Sequence, residues 1–232
     1  MIPWVHLDTA TVPGDSSTLR LMRRGAEFSI MAGATPLMNS RMSSSEIALA
    51  ELACDRLRGR RNCRVLIGGY GMGFTLRAAL AGFGADAKIL VAELVPAIME
   101  WARGPMAELT AGCLSDPRVS IHEADVGTLI ASGRADFDAI LLDVDNGPAG
   151  LSRKANDRLY DFRGLKAAHA ALRPKGLLAV WSAAPNKEFV NRLGAAGFAV
   201  DEIKARANNG RGVRHIIWAA TKTAGKDKPQ SR

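Results

Sequence analysis

The sequence predicts an α/β domain built on a mainly parallel sheet with helices on both faces, preceded by a small antiparallel β-sheet. Three observations carry this. From residue 64 onward, short aliphatic runs alternate with segments of helical period. The first run, Val65-Leu66-Ile67, empties into a glycine cluster, Gly68-Gly69-Tyr70-Gly71-Met72-Gly73. The last two runs, 198–203 and 215–220, are separated only by the turn-rich residues 207–212. Alternating strands and helices give a parallel sheet covered on both faces, and a terminal hairpin puts one antiparallel strand at or near its edge.

Residues 1–42 read as β-structure. Trp4-Val5-His6-Leu7 is followed by the turn signal Pro13-Gly14-Asp15, and two further apolar runs flank Arg23-Arg24-Gly25, which predicts two to four strands. Ser43-x-x-Glu46 has the form of a capping box, in which serine and glutamate each satisfy a free N–H of the first helical turn. The helix it opens, 44–57, carries Ile47, Leu49, Leu52 and Ala53 on its apolar face. Beyond the glycine cluster come a helix with Leu76, Ala79 and Leu80, and a strand, 89–92, ending on Glu93. Then follow a helix over 94–103, a strand over 119–122 ending near Asp125, a short helix over 126–132, and the wholly apolar strand 139–142 ending on Asp143. A helix over 159–172, closed by Arg173-Pro174-Lys175-Gly176, precedes strand 177–181, and a helix over 186–196 stops at Gly197. Because parallel crossovers are right-handed, Glu93, Asp125 and Asp143 fall on one rim of the sheet.

The chain has 232 residues, 47% of them hydrophobic and 23% charged, and no apolar run approaches the roughly 20 residues that span a bilayer. With no basic segment followed by a long apolar stretch at the N-terminus, a cytoplasmic protein without a signal peptide is expected. Cys54, Cys63 and Cys113 are scattered and read as reduced thiols. The four histidines have no metal spacing and read as surface or packing residues, so no metal is expected. The net charge of +8 reads as solvated surface charge, part of it in the polar tail 223–232, which is expected to be disordered. A nucleic-acid partner is the less favoured reading.

The glycine cluster carries the chemistry. Glycine lets a ligand lie against the main chain, and the helix start presents free N–H groups. An acid about twenty residues further, Glu93, reaches the hydroxyls of a ribose. A dinucleotide fingerprint would need glycine at 74, which is Phe74, and no Gly-Lys-Ser/Thr follows for a P-loop. What remains is Gly69-x-Gly71-x-Gly73, a pattern that suits S-adenosylmethionine.

With RVLIGGYGMG, the acid of VAELVPAIME, the HEAD segment and ILLDVDNGP, the chain resembles over residues 18–222 the class I S-adenosylmethionine-dependent methyltransferases, within them the spermidine synthase-like branch. The resemblance implies a Rossmann-like seven-stranded sheet over 43–222 and often a homodimer. It also implies that Gly69, Gly71 and Gly73 line the methionine side of the cofactor, with Tyr70 closing over cofactor or substrate. Glu93 would hold the ribose, Leu94 would pack on the adenine, and Asp125, with Val126 beside it, would accept from the adenine amino group. Spermidine synthases carry an aspartate in the glycine turn, where this chain has Gly71. Their strand-four loop is Asp-x-x-Asp, where this chain has Asp143 and Asn146. Asp143, Asp145 and Asn146 are the catalytic candidates, Asp143 also contacting the cofactor. Tyr70, Asn146 and Trp181 are the substrate candidates. With two carboxylates missing, the sequence favours methyl transfer from S-adenosylmethionine to a small molecule, with an amine as the candidate acceptor. Aminopropyl transfer from decarboxylated S-adenosylmethionine stands second, and a non-catalytic nucleoside- or RNA-binding protein third.

Overall fold

The computed structural model describes residues 2–144, 148, 157–208 and 211–223. Four strands come first: β1 (Val5–Thr11), β2 (Thr18–Arg24), β3 (Glu27–Ala32) and β4 (Thr35–Asn39), all antiparallel, in the order β1-β2-β3-β4. Leu19, Leu21, Phe28 and Ile30 alternate along the inner strands and are buried. They join one continuous core with the helices and strands that follow, so this sheet is a flap packed on the main domain. A hydrogen bond of 2.7 Å from Trp101 Nε1 to Asp8 Oδ2 pins its outermost strand.

The main domain then runs α1 (Ser44–Arg56), β5 (Arg64–Gly68), α2 (Phe74–Gly82), β6 (Lys88–Glu93), α3 (Pro96–Arg103), α4 (Ala107–Thr110), β7 (Val119–Glu123), α5 (Val126–Ser132) and β8 (Phe137–Leu142). It is completed by α6 (Asp157–Tyr160), α7 (Phe162–Ala171), β9 (Leu172–Ser182), α8 (Lys187–Ala195), β10 (Phe198–Asn208) and β11 (Arg211–Lys222). The seven strands are ordered β10-β11-β9-β8-β5-β6-β7. The pairs from β9 across to β7 are parallel, and β11 runs antiparallel to both its neighbours, second from the edge. All six residues of β8 are buried, as its central place demands. One core lies under α1, α2, α3 and the flap, the other under α5, α7 and α8. No helix among the described residues is long and apolar enough to cross a membrane.

Three local expectations are corrected. The capping box at α1 does not form: the Ser43 side chain makes no cap bond, and Glu46 Oε2 instead accepts from Ser45 Oγ at 2.7 Å. The single helix expected over 159–172 is two, because Asp161 ends α6 and caps α7, its carboxylate accepting from the Gly164 N–H at 2.7 Å. The segment 173–176, expected to close that helix, already belongs to β9, whose Leu172 pairs with Phe137. Lys175 absorbs the turn chemistry there with a φ of +59°.

Candidate active site

Glu93, Asp125 and Asp143 gather around one pocket at the carboxyl ends of β6, β7 and β8. Glu93 is 5% exposed. Its Oε2 accepts from the Tyr70 N–H and its Oε1 from the Val95 N–H, both at 2.9 Å. Burial pushes its carboxyl up, and these backbone donors oppose that. The Gly71 and Leu94 backbones also bear on this carboxyl and oppose the effect of burial. Asp125 caps α5 through its Oδ1, which accepts from the Gly127 N–H at 2.7 Å. Ala92, Leu94, Val126 and Ile98 wall the space between these acids, a setting that fits a nucleoside: an apolar slot for the base and carboxylates for its polar edges.

The glycines divide. Gly69, at φ +87°, brings the chain so close to β8 that a Cβ would stand 2.5 Å from the Asp143 carbonyl oxygen. Gly71, at φ +54°, leaves a space that is filled by the thioether of Met38 from β4. Both line the pocket, whereas Gly73 lies beneath the Tyr70 ring. Tyr70 itself is 4% exposed, its hydroxyl 3.8 Å from the Cys113 Sγ. Its ring sits in the core, and its contribution to the pocket is the backbone N–H on Glu93.

Asp143 has a second set of neighbours. Its Oδ2 accepts from Thr75 Oγ1 at 2.7 Å. Burial and the repulsion of Glu46 push its carboxyl up to about 7. Glu46 is raised as well, by its own burial. Trp181 lies in the core, edge-on to His215 at 4.7 Å between ring centroids and outside the pocket lining, and its buried Nε1 has no hydrogen-bond partner among the described residues. Asp145 and Asn146 lie outside the described residues.

Several residues the sequence reading left out belong to the site. Leu19, Ile30, Leu37 and Met38 of the flap form one wall of the pocket. Thr75 and Glu46 act on Asp143 from α2 and α1. The one sequence signal for Thr75 is its place two residues after Gly73, in the first turn of α2, where side chains face the strand tips.

Spermidine synthase from Thermotoga maritima superposes on this structure with a TM-score of 0.76 at 17% identity, covering 94% of this chain and 72% of that one. A spermidine synthase in complex with the transition-state analogue AdoDATO gives 0.75, also at 17% identity and with the same coverage. The chain has the spermidine synthase-like class I methyltransferase fold. A Burkholderia thailandensis 1,6-didemethyltoxoflavin-N1-methyltransferase with bound S-adenosylhomocysteine is more distant, with a TM-score of 0.55 and 22% identity over 78% of this chain and 80% of that one. Known proteins also match in sequence. Polyamine aminopropyltransferase 1 of Streptomyces coelicolor is 35% identical over 124 residues, 52% of this chain and 22% of the relative. Polyamine aminopropyltransferase of Mycobacterium tuberculosis is 30% identical over 145 residues, 59% of this chain and 27% of the relative. The chain thus spans about a quarter of the length of the curated relatives it matches. No family model matches it.

Proposed function

We propose that the chain is a transferase that moves a group from an S-adenosyl sulfonium donor to a small-molecule nucleophile, and that the group is aminopropyl, taken from decarboxylated S-adenosylmethionine by an amine. The Asp143 carboxyl carries the reading: it is held by Thr75 at the tip of β8 and opens on the same pocket as Glu93 and Asp125. The sequence puts methyl transfer first, and the aminopropyltransferase relatives support the reverse order.

In this reading Glu93 binds the ribose hydroxyls, Asp125 the amino edge of the base, and Leu94 and Val126 its faces. The donor supplies an electrophilic carbon beside a positive sulfur. Asp143 orients the attacking nitrogen and takes its proton as the new C–N bond forms. A carboxyl pushed up to about 7 suits that task near neutral pH, because it ionises readily and still holds a transferred proton. The flap excludes water with Leu19, Ile30 and Met38.

Methyl transfer is the second reading, and Gly71 favours it. The space that an acid in the glycine turn would occupy is filled by Met38, so an aminopropyl ammonium finds an apolar neighbour there. Thermal unfolding with S-adenosylmethionine and with its decarboxylated form separates the two. A ligand at about one hundred times its dissociation constant stabilises by roughly 2.7 kcal/mol. At about 2–4 °C per kcal/mol for a chain of this size, the midpoint rises several degrees. A larger rise with the decarboxylated form, lost in Glu93→Gln, and mass-spectrometric detection of an aminopropylated diamine support the first reading. A larger rise with the intact form selects methyl transfer, and no rise with either rejects both.

A further inference from the structure

Glu46, Ser45 and His215 do not line the pocket, yet Thr75 ties the Glu46 backbone to Asp143, which does, and the Glu46 side chain leads on through Ser45 to His215. The Thr75 hydroxyl lies 2.7 Å from Asp143 Oδ2 and 3.3 Å from the Glu46 carbonyl oxygen. It has one hydrogen for two acceptors. Both contacts are hydrogen bonds at once only when Asp143 carries a proton and donates it to Thr75. The Ser45 hydroxyl likewise lies between two groups, 2.7 Å from Glu46 Oε2 and 2.9 Å from His215 Nδ1. This chain can be satisfied in two ways. Either His215 Nδ1–H donates to Ser45 and Ser45 to the Glu46 carboxylate, or protonated Glu46 donates to Ser45 and Ser45 to the bare Nδ1. The two arrangements differ by the transfer of one proton from Glu46 to the imidazole.

The surroundings fit such a transfer. Ser45 is fully buried, whereas His215 is half-buried and follows the exposed residues Val213 and Arg214. The edge of Trp181 holds the imidazole ring, and burial lowers its proton affinity, which keeps it neutral and ready to accept. Glu46 is the charge that bears on Asp143, and the groups around the pair are Thr75 on α2, Ser45 on α1 and His215 on β11.

We propose that Glu46 is the partner acid of Asp143, and that Ser45 and His215 carry to solvent the proton that Glu46 releases when Asp143 takes one from the acceptor. The role in turnover rests on the transferase reading above; the wire itself does not. As the nitrogen lone pair forms the new bond to carbon, the N–H proton passes to an Asp143 carboxylate oxygen. Neutral Asp143 no longer repels charge on Glu46, which releases its proton to Ser45 Oγ while the Ser45 hydrogen passes to His215 Nδ1. The imidazolium then gives one proton to water. The pair holds one proton after the step, as it did before, and the site sheds its proton while the pocket is still occupied.

Two measurements on the full chain test this. The first is an NMR titration of the His215 ring nitrogens in the wild type, Glu46→Gln, Ser45→Ala and the double variant. A wire predicts a midpoint displaced by about half a unit or more in Glu46→Gln, because coupled groups titrate together. It also predicts that the double variant titrates like Ser45→Ala alone. Midpoints equal to wild type in both single variants overturn the wire, whatever the protein catalyses. The second is turnover of His215→Ala with an amine acceptor. The proposal expects a loss of about tenfold or more in kcat with unchanged KM, as for loss of a proton carrier. Added imidazole should restore it. Coupled titration without rescue by imidazole overturns the exit role. Absence of turnover with every donor, beside coupled titration, places the failure in the transferase reading and removes the exit role with it.

Discussion

Replacing Gly71 by aspartate puts back the acid that the spermidine synthase pattern has in the glycine turn. Two costs arise in this chain. Residue 71 sits at φ +54°, and a non-glycine residue there costs about 1–2 kcal/mol, with aspartate at the low end. The new Cβ also enters the volume of the Met38 thioether, and overpacking of this kind costs about 1–3 kcal/mol. Gly71→Asp alone should therefore lose about 2–4 kcal/mol, or roughly 4–16 °C of melting temperature at about 2–4 °C per kcal/mol. Met38→Ala removes the obstacle, so the double variant should be more stable than the sum of the single changes by about 1–3 kcal/mol. In the double variant the restored carboxylate can pair with an aminopropyl ammonium. A charge-assisted hydrogen bond worth about 1.5–3 kcal/mol tightens the decarboxylated donor roughly tenfold to a hundredfold. Thermal unfolding measures the coupling, and calorimetric titration of both donors measures the affinities. Additive costs would refute the steric account of Gly71. A coupled pair with no gain for the decarboxylated donor would refute the role given to the missing acid.

Asp143 makes the stability depend on pH in an unusual direction. Its folded carboxyl is raised to about 7 against an unperturbed value of 3.8, so between those values the folded state binds more protons than the unfolded one. Its contribution is fully present below the unfolded value and is lost as pH rises through the folded one. The melting temperature of Asp143→Asn should therefore fall less than that of the wild type between about pH 4 and pH 7, and equal slopes would reject the assignment. The same variant should lose turnover by about 10²–10⁴-fold, and a loss within twofold would remove Asp143 as base. Trp101→Phe deletes the donor to Asp8 Oδ2 and should lower the melting temperature. Because the flap forms one wall of the pocket, the shift given by a bound donor should shrink as well; an unchanged shift would show that the flap is held without this bond.

The fold is legible because its signals are local. Each strand of the large sheet is an apolar run of its own, and the glycine cluster marks the first strand-to-helix turn, so element order and the antiparallel β11 follow from spacing alone. Misreadings fall where a tertiary contact overrides a local preference. Asp161 has the residue type of a cap and sits inside an apparently continuous helix, so its capping of α7 is hidden by the period on either side. Lys175 sits in a turn-like Pro-Lys-Gly segment, and pairing of Leu172 with Phe137 draws that segment into β9. The half of the site proposed to hold the nucleoside is legible for the same reason as the fold: Glu93 ends β6, and Asp125 comes two residues after the end of β7. The flap wall is not, because Leu19, Ile30 and Met38 look like any alternating strand residues until the flap is packed on the domain.

Glu46 shows why the other half of the site stays hidden. Three residues after Ser43 it satisfies a local rule, and a capping bond is a sufficient reason for a glutamate there. The structure leaves the Ser43 cap unmade and bonds the Glu46 carboxyl to Ser45, where its charge bears on Asp143. Giving up a cap costs about 1 kcal/mol, and burying a carboxyl near another adds to that. Two such costs at one residue are tolerated where the surrounding groups over-determine it, and that is a mark of functional sites. Ser45, Thr75 and His215 come from α1, α2 and β11, and only the assembled sheet and helices bring them together. A residue that breaks a local rule to join such a group carries more information about chemistry than the glycine turn does, since a glycine turn also occurs wherever a strand meets a helix tightly.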